Sequence, residues 1–244
     1  SDVYKRQIYC NIIKLTKDEE VFHLTLDNGE NRWNTNLVRE ISSVIDEIEA
    51  SKGPAALVTS SSDPKFFSNG LDLDWIKSAP SNDRSDFTTE FMTLMGRIIS
   101  LPVPSICVIN GHAFGAGFML ALAHDVRYMR KDRGFMCANE IEIGMIIPDP
   151  EIALFKHKLP ANVFFETVQL ARRWTGPDAK TAGIVSDTFE IEHLLPEAIK
   201  KAKTLSRLGA NREVYGGMKD RLFGTSPPNN DLHGAAHLLK ENHK

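Results

Sequence analysis

The chain has 244 residues, 42% hydrophobic and 25% charged, with a formal net charge of -3. That length and balance suit one large α/β domain with its own core. They supply no general basic field, which argues against sequence-independent nucleic-acid binding, and no run of about 18 apolar residues offers a membrane span. Cys10, Cys107 and Cys137 are an odd number without metal spacing and read as reduced packing residues of an intracellular protein. The N-terminus lacks the apolar core of a secretory signal, and residues 1–7 fit no periodic pattern, so they read as a leader foreign to the fold. The last three residues are Asn-His-Lys, so a Ser-Lys-Leu peroxisomal address is absent as written.

Residues 8–15 and 21–26 read as two strands of a hairpin around the polar turn 17–20, with Phe22, Leu24 and Leu26 alternating against His23 and Thr25. His23 then faces solvent. Leu37, Ile41, Val44, Ile45 and Ile48 repeat at three and four, giving an amphipathic helix that ends near Gly53. Residues 55–60 read as a short buried strand, so the order is β-α-β with a crossover. A serine-rich loop follows, then the turn Ser68-Asn69-Gly70-Leu71-Asp72-Leu73 at the carboxyl end of that strand, where open α/β sheets place ligands. Asp72 reads as a cap for backbone N–H groups, with a catalytic acid as the alternative.

After an apolar helix at 87–99, the central stretch 105–125, SICVINGHAFGAGFMLALAHD, reads as strand, turn and buried helix. Gly115, Ala116 and Gly117 at the helix entrance carry little or no side chain. A ligand can therefore reach backbone N–H groups that no helical carbonyl satisfies, at the positive end of the helix dipole, where a developing oxyanion is stabilised. Close packing alone is the competing explanation. The glycines are in the wrong order for a dinucleotide fingerprint, no Gly-Lys-Ser/Thr follows, and there is no G-x-S-x-G elbow.

Residues 125–130 read as the next strand. Arg127, Arg130, Lys131 and Arg133 read as a solvated strand end, with anionic cofactor phosphates as the minority alternative. Next, Glu140 and Glu142 stand inside an apolar run from Phe135 to Pro148; a carboxylate among Ile141, Ile143 and Met145 would lose hydration and become a stronger base when ionised. The competing reading turns both acids to solvent. Residues 153–159, 163–171, 176–182 and 191–208 follow helical patterns, and 218–223 gives a short final amphipathic piece. His233 and His237 would share a helix face but lack a His-Glu-x-x-His frame, so they read as surface residues.

Three blocks together resemble the crotonase, or enoyl-CoA hydratase/isomerase, superfamily: FFSNGLDL at 66–73, INGHAFGAGFMLALAHD at 109–125 and TGPDAKTAGIV at 175–185, over roughly residues 8–210. GENRWN, RKDRGF and VYGGMKDRL look like its plant peroxisomal isomerase branch. The resemblance implies an α/β fold of the crotonase (ClpP-like) type, with repeated β-β-α units in a core at 8–190 and a C-terminal helical trimerisation region and polar tail at 191–244. It implies an acyl-CoA thioester as substrate, a homotrimer or hexamer, no metal or redox cofactor, and a peroxisomal placement, with a cytoplasmic one left open by the missing Ser-Lys-Leu.

Matched residue by residue, the thioester oxygen would take hydrogen bonds from Leu71 and Ala116 N–H. Substrate contacts would fall on Arg32, Ser68, Asn69, Gly70, Leu71, Asp72, Leu73 and Ala116. The family's hydratases use two glutamates; Met119 stands at the first and Glu140 at the second. A single glutamate is the pattern of Δ3,Δ2-enoyl-CoA isomerases, in which Glu140 would move a proton from carbon 2 to carbon 4. Glu142 is the rival base. Asp149 and Glu151 keep a hydratase, lyase or other acyl-CoA reaction as the alternative, and a crotonase-fold protein that binds acyl-CoA without turnover is the third reading.

Overall fold

The computed structural model describes residues 7–9 and 12–223, with side chains from residue 12 onward. Residues 1–6, Cys10, His233 and His237 lie outside the described residues. The predicted single strand at 8–15 is instead two: β1 (Gln7–Tyr9) turns back antiparallel on β2 (Ile13–Asp18), with Ile8 opposite Leu15. β2 pairs antiparallel with β3 (Val21–Leu26) as expected. The helix α1 (Thr35–Ala50) then crosses to β4 (Ala56–Ser61), which lies parallel to β3. Asn34 caps α1 by accepting from Leu37 N–H, and Leu37, Val38, Ile41, Val44, Ile45 and Ile48 are buried. Each such burial is worth about 2 kcal/mol, which is why the three-and-four spacing was legible in advance.

Beyond β4 the chain repeats one unit: a long strand, a short strand on a second sheet, then a helix. β4 is followed by β5 (Phe66–Ser68), α2 (Leu73–Ser78) and α3 (Ser81–Ile99). β6 (Ser105–Ile109) is followed by β7 (His112–Phe114) and α4 (Ala116–Ala123). β8 (Val126–Arg130) is followed by β9 (Met136–Cys137), a 3-10 turn at Glu140–Ile143, and the helices α5 (Asp149–Lys158), α6 (Ala161–Val168) and α7 (Gly176–Thr181). β10 (Asp187–Phe189), α8 (Ile191–Leu205) and α9 (Arg212–Phe223) complete the described chain. The large sheet runs β1-β2-β3-β4-β6-β8-β10, parallel from β3 onward, and the small one runs β5-β7-β9, also parallel. This is the crotonase fold.

The small sheet is a departure from the sequence reading, which took β5 for loop and passed from turn to helix through β7. Strands of two or three residues have too little pattern to be read and are held by pairing with distant neighbours. Two polar expectations also change. Arg127 and Arg130 are buried: Arg127 donates to the carbonyls of Ile184 and His124, and Arg130 donates to Asn110 O and pairs with Asp132 at 2.8 Å. These guanidiniums tie strand ends to loops because five fixed donors can satisfy several buried carbonyls. His23 is half-buried rather than fully solvated, with Nε2 2.8 Å from the Ser60 hydroxyl. The two described cysteines, Cys107 and Cys137, are buried and free, and burial pushes the Cys137 thiol up to about 11. Among the described residues no helix is long and apolar enough to cross a membrane.

Candidate active site

A cavity of about 400 Å³ lies where the ends of β5, β7 and β9 meet α3 and α4. Two turns line it, Asn69, Gly70 and Leu71 from one and Gly115 and Ala116 from the other. The loop containing Trp33 fixes the first turn. Trp33 N–H donates to Gly70 O and Asp72 N–H to Trp33 O, both at 2.9 Å, so this isolated bridge uses the groups on either side of Leu71 and not the Leu71 N–H itself. Below it, Trp33 Nε1 donates to Ser68 Oγ at 3.1 Å and Ser68 Oγ donates to Asn31 O at 2.8 Å. The second turn is the start of α4, all eight of whose residues are buried. Ala116 is its first residue, so its N–H has no helical carbonyl to meet.

Gly115 holds φ +47, a conformation open to glycine and strained for other residues. A Cβ there would lie 2.7 Å from Glu140 Oε1. The bare glycine thus lets the Glu140 carboxyl sit directly beside the Ala116 turn. Glu140 is 8% exposed, and its Oε2 has no hydrogen-bond partner among the described residues. Burial raises its pKa above the ordinary 4.5, partly opposed by its own backbone N–H. A second acid lines the same cavity from the first turn of α5. Glu151 is 6% exposed, its Oε1 is likewise unpartnered, and its pKa is held well above the ordinary value, first by burial and then by the Glu140 charge. The remaining walls are largely apolar, from Leu73, Phe87, Phe91, Met92 and Met119 inside to Ile143, Met145 and Ile146 at the mouth.

The family model described as "Enoyl-CoA hydratase/isomerase" matches residues 16–221. The chain belongs to this family. Among its relatives, the peroxisomal enoyl-CoA delta isomerase 1 of Arabidopsis thaliana is 34% identical, over 86% of this chain and 88% of that protein. The peroxisomal enoyl-CoA delta isomerase 2 of the same plant is 30% identical, over 86% and 91%. The mitochondrial methylglutaconyl-CoA hydratase of Homo sapiens is more distant, at 27% over 82% and 62%. Among solved structures, an enoyl-CoA hydratase/isomerase family protein from Pseudomonas syringae superposes with a TM-score of 0.80 at 24% identity, covering 90% of this chain and 95% of that one. At that identity the likeness shows the fold.

Within this enoyl-CoA hydratase/isomerase chain, the residues singled out from sequence divide. Arg32, Asn69, Gly70, Leu71, Leu73, Ala116, Met119, Glu140 and Glu151 come together around the cavity. Ser68 and Asp72 stand behind it: Ser68 is buried in the hydrogen bonds just described, and Asp72 caps α2 by accepting from Trp75 N–H at 3.0 Å. Glu142 leaves the cavity because the 3-10 turn rotates it away from Glu140, and it pairs with Arg173 at 2.8 Å. Asp149 is exposed outside the cavity. The hydrophobic run expected to bury both acids is itself largely at the surface, with Ile141 and Ile143 48% exposed and Ile146 94% exposed. Glu140 loses its hydration to the Gly115 turn and the cavity wall instead.

Sequence reasoning missed Phe87, Thr88, Phe91 and Met92 as lining residues and left Glu151 as one of two alternatives. A signal for Glu151 existed. With Leu154 and Phe155 it falls at helical spacing on the buried stripe of α5, a place an unpaired surface acid would not occupy.

Proposed function

We propose that this enzyme is a Δ3,Δ2-enoyl-CoA isomerase, which moves a 3-cis or 3-trans double bond of an acyl-CoA to the 2-trans position. The observation that carries the reading is the buried Glu140 carboxyl, which the bare Gly115 lets sit beside the Ala116 turn in a largely apolar cavity that Leu71 also lines. The kinship with two plant isomerases supports the substrate class. The thioester oxygen accepts from Leu71 and Ala116 N–H, which acidifies carbon 2. Glu140 takes that proton, and the dienolate that forms holds its charge on the oxygen between the two donors. Loss of one such donor typically costs about 3 kcal/mol of transition-state stabilisation. Return of a proton at carbon 4 gives the conjugated product. In the one-glutamate cycle of the family's isomerases the same carboxyl makes both transfers. The apolar walls keep water from the intermediate, Arg32 and Asn69 lie at the cavity for the polar part of the substrate, and the cycle needs no metal or redox cofactor.

The test is to incubate the protein with 3-cis- or 3-trans-hexenoyl-CoA and follow the enoyl thioester by absorbance and mass. Conjugated 2-trans-hexenoyl-CoA is expected, with loss of 10²- to 10⁴-fold in Glu140→Gln while acyl-CoA binding persists. Hydroxyacyl-CoA as the main product would support the second reading, hydration, which the position of Glu151 in the cavity favours. Binding without turnover of any enoyl-CoA would support a binding protein. A homotrimer or hexamer belongs to the same proposal: Val214, Met218 and Leu222 are exposed on one face of α9, and sedimentation reads the assembly. A peroxisomal placement is proposed from the two plant relatives so named.

A further inference from the structure

The cavity holds two carboxyls where the one-glutamate cycle uses one. Glu140 reaches it from the 3-10 turn after β9 and Glu151 from the start of α5, on separate elements. Each is more than nine-tenths buried, and each carries an oxygen with no hydrogen-bond partner among the described residues. Burying a carboxyl oxygen without a partner is costly, and two in one cavity call for a ligand that meets both. The reaction proposed above has two such positions, since one carbon gives up a proton and another receives one.

Resting on the isomerase reading, we infer that the two transfers are divided: Glu140 is the base at carbon 2 and Glu151 is the acid that protonates carbon 4. The C2–H bond breaks, its proton goes to Glu140, and its electron pair enters the dienolate. The Glu151 O–H then breaks as the new C4–H bond forms, the dienolate collapses to the conjugated thioester, and Glu151 is left ionised. Transfer of the proton from Glu140 to Glu151 restores the starting pair. The environments fit these roles, because two nearby carboxyls do not both ionise readily and the more deeply desolvated Glu151 keeps its proton where Glu140 loses it. On the stripe of α5 that packs Leu154 and Phe155 into the core, Glu151 Oε1 has no hydrogen-bond partner among the described residues.

The experiment compares wild type, Glu151→Gln and Glu140→Gln on 3-trans-hexenoyl-CoA in deuterated water, reading exchange at carbon 2 by mass and isomerisation by absorbance. Division of labour predicts that Glu151→Gln keeps carbon 2 exchange while isomerisation falls about 100-fold or more, and that Glu140→Gln loses both. Isomerisation by folded Glu151→Gln within a few-fold of wild type would overturn the inference and leave the isomerase reading standing. So would loss of exchange and isomerisation together in that folded variant. A single turnover of wild type on 2,2-dideuterio-3-hexenoyl-CoA in ordinary water needs no variant and covers the case in which Glu151→Gln does not fold. Protium at carbon 4 is expected, and deuterium carried from carbon 2 to carbon 4 would overturn the inference. Absence of both exchange and isomerisation in wild type would remove the isomerase reading and this inference with it.

Discussion

At the scale of single residues, the site depends on one atom that is missing. A methyl at Gly115 would meet Glu140 Oε1 at 2.7 Å and would hold a φ of +47 that alanine adopts at a cost. Gly115→Ala is therefore expected to lower the melting temperature and to reduce kcat at least tenfold, by displacing the proposed base, Glu140, while leaving its chemistry intact. Thermal melts and steady-state kinetics check both. The raised pKa of Glu140 sets the sign of the pH response. In the proposed cycle Glu140 works ionised, so activity should fall as pH drops through a midpoint above 4.5, and the kcat/KM profile reads it. Glu151 gives a matching stability effect. Its folded pKa lies above its unfolded one, so the folded state binds the proton more tightly and wild type loses stability as pH rises through that window. Glu151→Gln should gain on wild type across the same window, measured as the difference in melting temperature against pH.

At the scale of elements, the two longest-range features of the site rest on helix starts. Asp72 accepts from Trp75 N–H at the start of α2, and its own N–H closes the bridge to Trp33 that brackets Leu71. Asp72→Ala keeps the backbone bridge and loses the cap, so about 1 kcal/mol of stability should go with at most a modest change in kcat/KM, as denaturation and kinetics can show. α4 behaves differently because it has no solvent face: Met119 is 1% exposed and also lines the cavity. Met119→Glu would add a third buried carboxyl beside two that already resist ionisation, so a lowered melting temperature and weak hydration at best are expected, read by product mass. Legibility followed the same division. α1 could be read from its apolar spacing, and α4 because it is apolar on every face. β5 and β7 could not, since three residues carry no period and their partners lie up to 46 positions away, as with Phe66 and His112. The bury-or-expose choice at Glu140 and Glu142 was likewise set by a turn of four residues that no pattern announces.

At the scale of the whole molecule, the last described helix is fastened to the core through charge. Lys219 on α9 pairs with Asp125 at 2.9 Å, and Tyr215 hydroxyl donates to the same carboxylate at 3.1 Å. Asp125 also accepts from Ser105 N–H at the start of β6. Lys219→Met should cost about 2 kcal/mol in chemical denaturation, below the full penalty for breaking a buried pair because Asp125 keeps its other two donors. The resemblance in sequence blocks was enough to foresee this architecture, since repeated β-β-α units bring 66–73 and 109–125 to one place. The sense in which they meet was not foreseeable. A Cβ on Gly70 would stand 3.0 Å from Phe114 O and 4.0 Å from Ala116 N, so the two turns touch backbone to backbone. Segments more than forty residues apart in the chain are thereby gauged against each other directly, with no side chain as a spacer. The interval between the Leu71 and Ala116 amides is thus set by main-chain contact, and widening it would require the two turns to part.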